Sequence, residues 1–180
     1  MSNLDKMETE ATGDHIDAFM TRIAEAGVEL DLEVEAIVDR IQGINRRVHN
    51  ALKETLVEYG LTPEDWHVLS RLRLRKEGRT SSPGALARDL ELSSGAMTSR
   101  LDRLEELGLI RRLRDAEDRR GVVVELTAEG REAWDAAAAI QGRKEAFFAS
   151  ALTHDEQVEL NSLLRKIMRA FEANEPKHEK

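Results

Sequence analysis

The stretch that decides the fold is SSGAMTSRLDRLEELGLI, which runs from Ser93 to Ile110. Its large apolar residues recur three or four positions apart, at Met97, Leu101, Leu104 and Leu107. This spacing predicts an amphipathic helix that buries those four side chains in a core. Ser93 can cap its amino end and Gly108 can end it, so the helix should fill most of the stretch.

The opposite face of this predicted helix is small and polar. It presents Ser94, Gly95, Thr98, Ser99, Asp102 and Arg103. Small residues permit close approach to a DNA groove, hydroxyl groups can contact phosphates or base edges, and arginine can pair with guanine. An ordinary solvated helix face would look similar, so this face alone does not decide between the two interpretations.

The neighbouring elements favour DNA recognition because of their order. Thr62-Pro63 opens a helix that should reach about Lys76, and Ser82-Pro83 opens a short one that ends near Leu90. After the helix at Ser93, two β-prone stretches follow at 109–113 and 122–126, with Val122, Val124 and Leu126 expected on the core side. Two helices, a recognition helix and a hairpin form the order of a winged helix-turn-helix.

The turn of the predicted hairpin gathers arginines. Arg119 and Arg120 at its tip could reach a narrow A·T-rich minor groove, which attracts arginine, while Asp118 restrains a neighbouring guanidinium. The alternative is a surface turn in which the arginines pair with Asp115 and Glu117. Exposed pairs of that kind contribute only ~0–1 kcal/mol, so stability alone is a weak reason for the cluster.

Long helices flank this central region. A short helix is predicted at 14–26, followed by a long one from about Asp31 to Tyr59. The long helix carries a narrow apolar seam: Val34, Ile37, Ile41, Ile44, Val48 and Ala51. Such a seam is typical of helices that pack against another long helix. Two more helices should begin at Thr127 and at the capping box that starts with Thr153.

We therefore expect a mainly α protein with a small β-hairpin wing, in which a winged helix-turn-helix domain joins a helical dimerisation region. The predicted boundaries are a disordered tail at 1–13, dimerisation helices at 14–60, the DNA-binding domain at 61–127, dimerisation helices at 128–174, and a disordered tail at 175–180.

The charge of the chain is uneven. Its net charge of −8 argues mildly against a nucleic-acid partner, yet residues 62–131 hold 14 basic and 13 acidic side chains. Arginine outnumbers lysine by 20 to 7. That excess suits bidentate contacts to phosphates and base edges, or else reflects a GC-rich genome.

Several classes of protein are disfavoured. The chain has no cysteine, no apolar run of membrane-spanning length, and a polar acidic start unlike a signal peptide, so we expect a cytoplasmic protein. The histidines lack metal-ligand spacing, and neither a phosphate-binding loop nor a Ser/His/Asp pattern is present. We predict no metal, no cofactor, no membrane partner and no enzymatic activity.

From LTPEDWHVL (61–69) through LARDLELSSGAMTSRLDRLEELGLIRRLRDAEDRRGVVVELTAEG (86–130), the sequence resembles the MarR family of bacterial transcriptional regulators. The resemblance implies obligate homodimers formed through the terminal helices. It implies that Asp118 orients Arg120, which enters the minor groove. It also implies that the recognition helix contacts DNA through Ser93, Ser94, Gly95, Thr98, Ser99, Arg100 and Arg103.

The added first helix and the phrase SSGAMTSRLDRLE resemble the N-terminally extended branch of that family, which includes urate-responsive repressors. This chain has His67 and Leu74 where that branch has an aspartate and an arginine, so the likeness does not extend to the ligand. Trp66, His67 and Arg73, with His49 from the long helix, are candidates for a different effector pocket. Alternatively, His67 is an ordinary packed or half-exposed helix residue.

These features together predict a dimeric, sequence-specific DNA-binding transcriptional regulator of a pseudo-palindromic operator. We expect a repressor that a small anionic or aromatic effector releases from double-stranded DNA. The alternative is a helical dimeric protein-interaction factor of winged-helix ancestry that does not bind DNA, which the acidic net charge would suit.

Overall fold

The computed structural model describes residues 13–75, 80–115 and 121–174. Over these ranges the chain forms seven helices and one antiparallel hairpin. In chain order they are α1 (His15–Glu25), α2 (Leu32–Val57), α3 (Pro63–Arg73), α4 (Pro83–Asp89), α5 (Ser94–Glu106), β1 (Ile110–Arg114), β2 (Val122–Leu126), α6 (Ala128–Ala149) and α7 (His154–Asn174). The predicted tails, residue 13 excepted, and the wing residues Asp118, Arg119 and Arg120 lie outside the described residues.

The predicted mainly α fold with a small hairpin is confirmed. Most element ends fall within two residues of the sequence prediction, but α3 stops at Arg73 and not at Lys76.

The chain divides into two compact units, Met1–Glu54 and Thr55–Lys180, and the division falls within α2. No helix in the described ranges has the length and apolar character to cross a membrane.

The first unit holds α1 against the beginning of α2. Ile16, Met20 and Ala36 form a small buried cluster. At its edge Arg40 donates to Asp14 at 3.1 Å and to Asp17 at 2.5 Å. These bonds to the Arg40 guanidinium lower the pKa of the Asp14 carboxyl to about 2. Asp14 also caps α1, so one carboxylate both starts the helix and fastens it to α2.

The core of the second unit lies under α3, α4, α5 and the hairpin. Its fully buried large side chains are Leu56, Val68, Leu69, Leu86, Met97, Leu101, Leu104, Ile110 and Val124. Three of the four predicted core residues of α5 are among them, but Leu107 is 44% exposed. Leu107 is the carboxyl-cap residue, after which Gly108 turns the chain with a φ of +71°. The backbone of Leu107 is still helical, but the helix ends there and its side chain is left partly outside the core.

The hairpin is regular and extends from the core. Ile110 pairs with Leu126, Arg112 with Val124, and Arg114 with Val122. Ser81 exchanges two backbone hydrogen bonds with Val124 and so forms a one-residue antiparallel bridge at the edge of the hairpin. The prediction that Val122 packs on the core is wrong: it is 43% exposed because it lies at the far end of the ladder.

Helices α6 and α7 complete the second unit in different ways. The first turn of α6 lies directly on the start of the hairpin, since a Cβ added at Gly130 would be 2.0 Å from the carbonyl oxygen of Leu109. Helix α7 buries none of its residues. Its exposed apolar side chains are Val158, Leu160, Leu163, Leu164, Ile167, Met168 and Phe171.

Candidate nucleic-acid interface

The amino-terminal half of α5 presents an open, nearly uncharged surface. Ser93 caps the helix by accepting from the backbone N–H of Ala96 at 3.2 Å. Exposed small or hydroxyl-bearing residues follow: Ser94, Gly95, Ala96, Thr98 and Ser99. A Cβ at Gly95 would meet no atom within 4 Å. Nothing in the described part of the chain therefore requires a glycine there, whereas a partner approaching from outside would benefit from one.

Arg100 and Arg103 point from α5 toward the start of α3. Arg100 donates from Nη1 to Oδ1 of Asp65 at 3.1 Å, and Arg103 donates from Nε to Oδ2 of the same carboxylate at 3.3 Å. The side chain of Arg103 is 51% exposed, whereas that of Arg100 is only 22% exposed. The structure thus leaves part of Arg103 on the outer surface and turns Arg100 away from it.

Arg112 of β1 holds the other side of α5. Its Nη1 lies 2.6 Å from Asp102 and 2.9 Å from Glu105, and its backbone N–H donates to Glu105 at 3.0 Å. The acid at position 102 on the outer face is therefore neutralised from within the chain. This pairing reduces the repulsion that an exposed carboxylate would exert on a phosphate backbone.

The hairpin carries further arginines toward its tip. Arg111 pairs with Glu125 across the two strands, and Arg114 is exposed at the end of β1. The backbone N–H of Asp115 donates to the carbonyl of Gly121 at 3.0 Å. The roles predicted for Asp118, Arg119 and Arg120 concern residues outside the described ranges.

The α3 residues that the sequence suggested for an effector pocket lie at two different sites. Trp66 stacks on Trp134 of α6 with ring centroids 5.1 Å apart, and Trp134 Nε1 donates to Ser70 at 2.8 Å. Arg73 donates to Asp135 at 3.0 and 3.3 Å, and its guanidinium carbon lies 5.6 Å from the Trp134 ring centroid. The sequence pattern did not identify Trp134 and Asp135, which lie more than 60 residues further along the chain.

His67 lies elsewhere on α3, at an open groove of about 640 Å³. The groove is lined by His67, Ser70, Arg71, Leu74, Arg75, Asp89 and Leu90. Arg75 donates to Asp89 at 3.1 Å across it. His49 belongs to the Met1–Glu54 unit. Within the described ranges, no three His, Cys, Asp or Glu side chains are grouped to hold a metal ion.

Comparison with known proteins agrees with this arrangement. Residues 61–122 match the MarR family. The multiple antibiotic resistance protein MarR of Escherichia coli strain K12 is 30% identical over 71% of this chain and 88% of its own length. The transcriptional repressor MdtR of Bacillus subtilis strain 168 is 29% identical over 78% of this chain and 88% of its own length. The structure of a Staphylococcus aureus MepR–DNA complex has the same fold, with a TM-score of 0.64 and 24% identity over 74% of this chain and 96% of that one.

Proposed function

The chain belongs to the MarR family, and on that premise we propose that it is a dimeric repressor that binds a specific DNA sequence and releases it when a small anionic effector binds. The relatives are transcriptional regulators and not enzymes. The observation that carries the proposal is the exposed amino-terminal half of α5. Its residues are small or hydroxyl-bearing, and a Cβ at Gly95 would meet no atom within 4 Å.

The proposed contacts divide by location. Ser93, Ser94, Gly95, Thr98 and Ser99 would line the major groove, with Arg103 at the far end of the same surface. Arg100 is mostly covered, so we assign it to the support of α5 and not to direct base contact. The wing residues Asp118, Arg119 and Arg120 would enter the minor groove, a role supported by their sequence and by the family resemblance.

Exposed apolar surface supports the dimer. Helix α7 carries seven large apolar side chains and buries none of them. In the first unit α2 likewise exposes Val34, Ile37, Val38, Ile41 and Ile44. Exposed surface of this kind marks an interface more often than a solvated face. We propose that the helices of 14–60 and 128–174 form the dimer, so that two copies of the 61–127 domain read a pseudo-palindrome about one helical turn apart.

The groove at His67 is the proposed effector site. Arg71, Arg75 and His67 give it a basic lining, and Asp89 is its acidic partner for Arg75. A small carboxylate, on an aromatic ring that packs on Leu74 and Leu90, could compete with Asp89 for Arg75. Since Asp89 ends α4 and α4 packs on α5, such a ligand would act on the DNA-binding helix.

A gel shift with DNase I footprinting on the DNA upstream of the protein's own gene tests the proposal. We expect a symmetric protected site and an affinity that falls steeply with salt, because phosphate contacts release counterions. An asymmetric footprint from a monomer would contradict the proposed dimer. If no duplex sequence is preferred over another, the protein is not a sequence-specific regulator, and a protein-interaction role becomes the better explanation.

A further inference from the structure

Asp65 is a fully buried carboxylate that lies beneath α5. It is 0% exposed and occupies the third position of α3. Its Oδ2 accepts from the backbone N–H of Thr62 at 3.0 Å, which completes a capping box at the start of that helix. A capping box needs no arginine and no burial, so the cap accounts for only part of what Asp65 does.

The remaining contacts of Asp65 join three segments of the chain. Arg100 Nη1 donates to its Oδ1 at 3.1 Å and to Thr62 Oγ1 at 3.3 Å. Arg103 Nε donates to its Oδ2 at 3.3 Å, while Arg103 Nη2 donates to the carbonyl of Gly60 at 2.6 Å. Two successive turns of α5 are therefore bound to one carboxylate at the start of α3 and to the turn that precedes it.

The partners of Asp65 sit on one side of α5, and Arg112 binds Asp102 and Glu105 on the other side. Charged pairs at both sides limit rotation of α5 about its own axis more than apolar packing alone does, because apolar contacts are not directional. A buried ion pair contributes little net stability, yet it can select one arrangement among several. Rotation of α5 would change which side chains face a DNA groove.

We propose that Asp65 is a positioning residue for DNA recognition: it fixes the orientation of α5 and keeps the guanidinium groups of Arg100 and Arg103 from binding phosphates indiscriminately. The inference rests on the proposed function, since it concerns how the same DNA surface discriminates between sequences. The proposal predicts that a substitution of Asp65 changes how well the protein discriminates between DNA sequences. A substitution that only lowers stability would not do so.

The decisive variant is Asp65→Asn. An asparagine oxygen can still accept from the Thr62 N–H, so the cap survives while the negative charge is lost. Both arginines keep some access to solvent, so the variant should fold. We expect affinity for a scrambled duplex to rise several-fold because the released arginines reach phosphates. The ratio of footprinted-site affinity to scrambled-site affinity should fall about tenfold, which corresponds to the loss of roughly one base contact per site.

Two controls separate this effect from others. Ser82→Ala removes the hydroxyl that caps α4, which accepts from the backbone N–H of Ala85 at 3.2 Å, and keeps Asp65, Thr62 and both arginines; it should lower the midpoint of thermal unfolding and leave the ratio unchanged. Asp135→Asn makes the same change of charge at a carboxylate that pairs with Arg73 of α3 and with no arginine of α5. It should also leave the ratio unchanged.

The measurement is fluorescence anisotropy of the dimer of the whole 180-residue chain, with a labelled duplex of the footprinted site and a scrambled duplex of the same composition. If Asp65→Asn weakens both duplexes equally, or leaves the ratio as in the wild type, the positioning role is overturned while the proposed function stands. If the wild type itself shows no preference, both fall. Should Asp65→Asn not fold, Arg100→Met removes one ion pair at similar volume and must still reduce the ratio, though by less.

Discussion

Helices α5 and α7 are both amphipathic, but the chain treats their apolar faces in opposite ways. Helix α5 buries Met97, Leu101 and Leu104 and leaves small polar residues outside. Helix α7 buries nothing and leaves its apolar residues outside. A helix whose apolar face is covered by its own chain exposes a surface suited to a polar partner. A helix whose apolar face is uncovered requires another apolar surface.

The largest effect is expected on dimerisation, from charges placed on the apolar face of α7. Leu163→Glu combined with Ile167→Glu should raise the dimer dissociation constant by at least about 100-fold, because unpaired carboxylates would be buried at the interface. Analytical ultracentrifugation measures this change. Ser162→Glu is the matched control, since Ser162 lies on the same helix outside the apolar set. Equal effects from both substitutions would mean that this face is not the interface.

The next largest effect is expected on stability, from a substitution where α6 packs against the start of the hairpin. Gly130→Ala forces a Cβ against the backbone carbonyl of Leu109, so we expect a loss of roughly 1–3 kcal/mol in the free energy of unfolding. Gly142→Ala, in the same helix, meets no atom within 4 Å and should instead stabilise by about 0.5–1 kcal/mol. Chemical denaturation measures both. A neutral result for Gly130→Ala would contradict the close contact.

A smaller effect, confined to binding, is expected at the outer face of α5. Gly95→Val adds an isopropyl group at a position where a Cβ meets no atom within 4 Å, so the stability of the free protein should change little. DNA affinity should fall about tenfold, because the added bulk keeps the helix from the floor of the groove. Anisotropy titration and thermal unfolding measure the two quantities. Gly84→Val, near the start of α4, serves as control and should leave DNA affinity unaltered.

The smallest effect is expected from pH in the first unit. The pKa of Asp14 is lowered from 3.8 to about 2 in the folded protein, so the ionised Asp14 carboxylate stabilises the fold. The contribution is complete above the ordinary pKa of the carboxyl and is lost as pH falls toward the lowered value. Circular dichroism should show that the wild type loses α1 as pH falls from the ordinary pKa of Asp14 toward the lowered value, whereas Asp14→Asn has a weaker α1 already at neutral pH and loses less of it over that range. Identical acid transitions would mean that the Arg40 contact does not hold α1.

Local patterns predicted more of the fold than of the site. Helix starts at Thr62, Ser82 and Ser93 were predictable because a cap, its helix and its apolar spacing lie within a few residues. Leu107 and Val122 were misjudged since periodicity does not reveal where the covering neighbours end. The predicted mainly α fold with a hairpin tolerates such errors, because it depends on the order of elements and not on their last residues.

The contacts that organise the site could not be read from spacing. Asp65 was identifiable as a capping acid, but its arginine partners lie 35 and 38 residues further along the chain. Trp66 was a candidate for an effector pocket, and its stacking on Trp134 of another helix was not predictable from the sequence. These pairs form only once the three-dimensional arrangement is known, and nothing in the local sequence marks one arginine or tryptophan as a partner of another.

The stacked indoles give the protein a built-in optical signal. The chain has two tryptophans, and they are stacked at an interplanar angle of 8°. Excitation at the red edge of the indole absorption therefore reports on the contact between α3 and α6 without an added label. Ser70 accepts from Trp134 and also lines the groove beside His67, so a molecule entering that groove would perturb the emission directly. Stopped-flow fluorescence could then time the first response of α3 separately from the departure of DNA.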